Sequence, residues 1–143
     1  MIYFDTSALV KRYVKEYGSM AVQSLIRQGE GIATSKLAYP EMLSAFGRKY
    51  RARELAAGLF RRLVDQFDAD WKSILVVEFH DELLSTVKLL SAKYALKGAD
   101  TVHLSSALWL QREVPTNITF VASDGNLLKA AQGERLRVIN PQN

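Results

Sequence analysis

The sequence predicts an α/β fold in which a mainly parallel sheet is covered by helices on both faces. Three observations carry that expectation. Short β-rich apolar runs alternate with longer runs of helical period along the whole chain. Each β-rich run is separated from the next by helical sequence, so successive strands must be joined by crossovers and lie parallel. No internal repeat, low-complexity tract or linker breaks the pattern, and only Pro40, Pro115 and Pro141 interrupt the backbone. A chain of 143 residues suits one domain spanning 1–143. Folding such a chain buries about two-thirds of its unfolded surface, enough for a real core.

The elements follow in order. Met1–Phe4 reads as a buried strand, Thr6–Lys15 as a helix ending before Gly18, and Ser19–Gln28 as a helix stopped by Gly29 and Gly31. Gly31–Thr34 is a short strand. Tyr39, Met42, Leu43, Phe46 and Tyr50 then share one helix face, and Leu55, Leu59, Leu63 and Phe67 line another. Ser73–Glu78 is a strand, followed by a helix with Leu83, Leu84, Val87, Leu90 and Tyr94 on one side. Asp100–Gln111 is helical, Ile118–Ala122 a β-branched strand, Leu127–Gln132 a short helix, and Leu136–Ile139 a last strand. Asp124-Gly125 could form a hairpin turn. The helical character of Asn126–Ala131 argues instead for a helix start.

Apolar residues make up 48% and charged residues 24%, which excludes a disordered, collagen-like or rod-like chain. No apolar run exceeds four residues, far short of a membrane span, and Met1–Asp5 lacks the features of a signal peptide. The expectation is a soluble, cytoplasmic protein with no membrane partner. With no cysteine, disulfides, thiolate zinc sites and a cysteine nucleophile are excluded. The net charge of +4 lies wholly in the first half, which carries 12 Lys/Arg against 8 Asp/Glu. The excess is densest from Arg48 to Arg62, where Arg48, Lys49 and Arg51 are candidates to hold a polyanion.

In open parallel sheets, ligands bind beyond the carboxyl ends of the strands. Four carboxylates are expected there. Asp5 ends the first strand, Asp124 ends the fourth, Asp100 sits in a first helical turn, and Glu41 lies just inside the helix after the second strand. Each alone could be a helix cap or a complement to a helix dipole. Together in one crevice they would repel, by about 4 kcal/mol per pair at 4 Å and an effective dielectric of 20. Such a cluster takes up protons or binds a hard cation. Other chemistries lack their residues: there is no GxGxxG after the first strand, no GxxxxGK[ST], and no D-x-D, since Ser7 holds the second position. Only His80 and His103 could serve a catalytic triad. His103, three residues after Asp100, is expected as a hydrogen-bonded structural residue over the crevice rather than a ligand, and His80 at the surface. Trp71, Trp109 and the tyrosines fit core positions.

The run Asp5-Thr6-Ser7-Ala8-Leu9-Val10-Lys11 resembles the opening of PIN-domain nucleases, in particular VapC-type toxins. Tyr39-Pro40-Glu41-Met42, Gly98-Ala99-Asp100-Thr101-Val102-His103-Leu104 and Phe120-Val121-Ala122-Ser123-Asp124 match in order and spacing, as does the closing Leu136-Arg137-Val138-Ile139-Asn140-Pro141. The resemblance implies a single PIN-like domain, a Rossmann-like three-layer α/β/α sandwich around a five-stranded, mainly parallel sheet. It also implies a Mg²⁺- or Mn²⁺-dependent endoribonuclease leaving a 5′-phosphate and a 3′-hydroxyl. Asp5 and Asp100 would be the principal metal ligands, with Glu41 and Asp124 acting directly or through water. Thr6 or Ser7, and Ser123, would orient the carboxylates. RNA would be the substrate, and a homodimer neutralised by a cognate antitoxin the expected assembly. Two alternatives share the motifs: a housekeeping PIN-type RNA- or DNA-processing nuclease, and an inactive PIN-like module that binds RNA or protein.

Overall fold

A computed structural model describes residues 1–143. Strand β1 (Ile2–Phe4) leads into α1 (Thr6–Leu9), which tightens into a 3₁₀ turn over Val10–Arg12. Then come α2 (Ser19–Arg27), β2 (Ile32–Ser35), α3 (Ala38–Arg51), α4 (Ala57–Trp71) and β3 (Leu75–Val77). A 3₁₀ turn over Asp81–Leu83 opens α5 (Leu84–Lys93), followed by α6 (Gly98–Glu113), β4 (Thr119–Val121), α7 (Gly125–Gly133) and β5 (Arg137–Ile139).

The five strands form one sheet in the order β3-β2-β1-β4-β5, and every pairing is parallel. The period-2 alternation of β1 explains why both faces are covered. Tyr3 points into a core with Phe120 of β4, Leu83 of the 3₁₀ turn before α5, and Leu90, Leu104, Leu110 and Leu127 of α5, α6 and α7. Ile2 and Phe4 point into the opposite core, with Leu9, Val22, Met42, Phe46 and Phe67 from α1 to α4. Phe120 and Val121 of β4 divide in the same way. The three-layer expectation therefore holds, with all strands parallel.

The boundaries differ where local periodicity is a poor guide. The helix expected over Thr6–Lys15 ends early because the chain turns at Gly18, with φ 95. A Cβ there would sit 3.1 Å from the Pro141 carbonyl oxygen and 3.2 Å from the Lys11 side chain. Lys11 is folded inward, 4% exposed, and pairs with Glu16 at 3.0 Å. The expected strand Ser73–Glu78 shrinks to three residues on the sheet edge, where only β2 supports it. Helix α6 begins two residues before Asp100, and α7 begins directly after Asp124, which settles the Asp124-Gly125 pair as a helix start.

Candidate active site

Strand order reverses at β1: the chain moves outward through β2 and β3, then returns to the other side of β1 for β4 and β5. The crevice at such a switch point lies between the carboxyl ends of β1 and β4, where a ligand site is expected. Asp5 leaves β1 at that edge, its N–H donating to the Val121 carbonyl at 3.1 Å. Asp124 follows β4 by three residues. The crossovers bring the first turns of α3, with Glu41, and of α6, with Asp100, to the same place. All four carboxylates line one cavity of about 620 Å³, together with Thr6, Ser7, His103, Arg48 and Lys97.

Asp5 is 3% exposed, and the Ser7 hydroxyl and the Ala8 N–H hold its carboxylate. It caps α1 by accepting from the Ala8 N–H at 3.1 Å, and the Ser7 hydroxyl reaches both its oxygens, at 2.8 and 2.9 Å. Burial pushes its pKa up from 3.8 to about 6, and Asp100 adds to the rise. The opposing pull of His103, Ser7 and the Ala8 N–H does not cancel it. Asp100 is half-buried, and burial followed by the charges of Asp124 and Glu41 raises its pKa as well. Glu41 goes the other way: burial raises it, but hydrogen bonds from His103 and Thr6 outweigh that and hold it below its ordinary value. The exposed Asp124 caps α7 through Oδ1, accepting from Leu127 N–H at 3.0 Å and leaving Oδ2 free. Capping and clustering thus coexist: Asp5 and Asp124 are caps, and both belong to the acidic crevice.

The supporting polar residues act in different ways. Thr6 donates directly to Glu41 Oε1 at 2.6 Å, and Ser7 orients Asp5. Ser123 contributes through its backbone, its N–H donating to Ser7 Oγ at 3.1 Å, while its own hydroxyl has no partner. His103 sits over the crevice as a hydrogen-bonded residue, as expected, 2.8 Å from Glu41 Oε1. His80 departs from the surface reading: both ring nitrogens are buried without partners, and the ring lies edge-on to Trp109 with centroids 4.8 Å apart. Tyr17, 74% exposed, is likewise not a core residue.

Of the three basic candidates, Arg48 alone reaches the cavity wall. Lys49 turns away to Glu54 at 3.6 Å and Glu16 at 3.8 Å, and Arg51 lies exposed along its own helix beside Gly47. The cation that sequence reading missed is Lys97. It lines the same cavity from the N-cap position of α6, where the helix dipole disfavours positive charge. A lysine in that place was itself a signal that nearby anions compensate it.

The donors present fit a hard divalent cation, since all four acidic groups offer oxygen, and burial, with the neighbouring carboxylates adding to it, raises the pKa of Asp5 and Asp100. No three of the His, Asp and Glu side chains are arranged as a ready-made metal site.

A parallel sheet of this order with carboxylates gathered at its switch point is the arrangement of a PIN domain. The family model described as PIN domain matches residues 2–132, and the chain belongs to the PIN-domain family. Two Mycobacterium tuberculosis proteins, Ribonuclease VapC45 and Ribonuclease VapC49, are each 36% identical to it over 112 residues, covering 76% of this chain and 75% of theirs. Among solved structures, FitAcB from Neisseria gonorrhoeae superposes with a TM-score of 0.69 at 16% identity, over 99% of this chain and 98% of that one. VapBC2 from Rickettsia felis, bound to a fragment of promoter DNA, gives 0.67 at 15% identity over 98% of each chain. A toxin–antitoxin complex from Klebsiella pneumoniae gives 0.69 at 16%, over 99% and 98%. At these identities the structural likeness is one of fold.

Proposed function

We propose that residues 1–143 form one PIN-like domain acting as an endoribonuclease, the toxin of a toxin–antitoxin pair, with Mg²⁺ or Mn²⁺ as cofactor. The observation that carries the reading is the convergence of Asp5, Glu41, Asp100 and Asp124 on one cavity that Arg48 and Lys97 also line. Asp5 and Asp100 are the proposed principal ligands, with Glu41 and Asp124 reaching the ion directly or through water. A cation held there supplies Lewis acidity at a phosphate and acidifies an attacking water.

The chain's own residues do the rest. Ser7 and the Ala8 N–H hold Asp5 rigidly at the end of the central strand. Asp124 Oδ2, free of its capping bond, is available to turn toward the incoming water. Arg48 and Lys97 offer backbone phosphates two cations beside a centre that would otherwise repel RNA. Neither histidine is needed as a base. The family names of the relatives and the toxin–antitoxin complexes among the structural neighbours support a cognate antitoxin as partner. A homodimer is proposed on the family resemblance, and sedimentation measures it.

The test is cleavage of a labelled RNA with Mn²⁺ and with EDTA, comparing wild type with Asp100→Asn and Glu41→Gln. Both variants should lose activity while keeping their circular dichroism. Cleavage that survives EDTA, or a folded Asp100→Asn with wild-type rates, contradicts the reading. It separates a nuclease from an inactive binding module, which has no use for four crowded carboxylates.

A further inference from the structure

A line of hydrogen bonds runs from the hydrophobic core to the floor of the acidic cavity. It starts at Tyr3, on the central strand, which is fully buried and stacks on Phe120 with centroids 5.4 Å apart and planes 9° apart. Its hydroxyl lies 2.9 Å from His103 Nδ1. His103 is 1% exposed, and its other nitrogen, Nε2, lies 2.8 Å from Glu41 Oε1 and 3.2 Å from Thr6 Oγ1. Thr6 Oγ1 is itself 2.6 Å from the same Glu41 oxygen. Two partners thus converge on Oε1, and none is found on Oε2.

The donor and acceptor chemistry fixes the direction of the bonds to Glu41. An ionised carboxylate only accepts, so Thr6 and Nε2 must both donate to Oε1. Nδ1, on the far side of the ring, is held by the buried Tyr3 hydroxyl.

We propose that Tyr3 and His103 are positioning residues which, together with Thr6, clamp Glu41 Oε1 and leave Oε2 alone to face the cavity. Tyr3 touches neither substrate nor ion; it acts through the imidazole, whose Nδ1 it holds. The inference rests on reading Glu41 as a carboxylate of the active site. An outer residue of this kind typically changes metal affinity or activity by about 10- to 100-fold when removed. A merely structural tyrosine would alter stability and leave the imidazole and the cavity chemistry as they are.

The test uses ¹⁵N-labelled whole protein in EDTA at pH 8, with long-range ¹H–¹⁵N correlation of the two histidines and His80→Gln to assign them. His103 should show a pyrrole-type, protonated Nε2. Tyr3→Phe keeps the ring against Phe120 and should shift the Nδ1 resonance. In a Mn²⁺ titration read by thermal shift, it should also need about tenfold more metal. His103→Gln, which can still donate to Glu41, should retain more metal affinity than His103→Leu. Thr6→Val, at a half-buried position, removes the second donor and should weaken Mn²⁺ binding even if Tyr3→Phe does not fold. An Nδ1–H tautomer with a bare Nε2 in the wild type overturns the proposal. So does wild-type Mn²⁺ affinity in folded Tyr3→Phe or Thr6→Val, or equal effects of His103→Gln and His103→Leu. Unimpaired RNA cleavage by Glu41→Gln would instead overturn the functional reading of Glu41, which the tautomer measurement does not depend on.

Discussion

Replacing Asp5 by Asn should make the metal-free protein more stable at neutral pH, although it alters a buried, fully hydrogen-bonded helix cap. The folded carboxyl titrates near 6 against 3.8 in its ordinary state, because burial at the end of β1 disfavours the charge. Between those values the native state binds more protons than the unfolded chain, so stability falls as pH rises through that window. The stabilisation is fully present below about pH 3.8, is lost by about pH 6, and stays lost above it. A gap of about two pKa units corresponds to about 3 kcal/mol. Asparagine is neutral throughout, and its Oδ1 can still accept the Ala8 N–H, since Asn and Asp cap equally well. Some of the gain is offset by a weaker bond from Ser7. At pH 8 in EDTA the variant should therefore exceed wild type by about 2 kcal/mol, roughly 8 °C in Tm for a chain of this size. At pH 4 the advantage should vanish. Denaturant and melting curves at both pH values measure it. If Asp5→Asn melts below wild type by the same margin at pH 8 and pH 4, Asp5 is a cap and nothing more, and burial does not destabilise its charge.

Two further outcomes follow from the same cavity. Mn²⁺ should raise the wild-type Tm in a concentration-dependent way, with a gain of about 2.7 kcal/mol at a hundred times its Kd, and Asp100→Ala should largely abolish the response in a thermal-shift titration. Neutralising Arg48 and Lys97 to Gln should flatten the salt dependence of single-stranded RNA binding by about 0.7 in log–log slope per lost phosphate contact. Lys49→Gln should leave the slope unchanged, because that lysine is engaged by Glu16 and Glu54.

The fold was legible because the buried strands are short apolar runs set between helices of clear period. The four carboxylates were legible because crossover topology sends strand ends and helix starts to one edge of the sheet. What stayed hidden depends on contacts distant in sequence. Helix periodicity continues past Leu9, but the turn at Gly18 beside Pro141 and the inward Lys11 end the first helix early. Lys49 and Arg51 look like Arg48 in a basic stretch, and only the helix azimuth and the acids nearby separate them. The link from Tyr3 to His103 spans 100 positions and joins an apolar strand pattern to a helix, so neither segment announces it.

The central strand of the sheet is also the first to be synthesised. Ile2 pairs with Ile32 on one side and, on the other, with Thr119. The Ser7 hydroxyl that orients Asp5 is tied to the Ser123 amide, 116 residues away. On a ribosome, β1 therefore emerges before either partner, meets β2 first, and waits for the segment through Val121 before β4 can close on its other side. Contacts this far apart form late in folding, because loop closure has to come before they are made. The acidic crevice, built on the carboxyl ends of both β1 and β4, is thus complete only once that last pairing has formed.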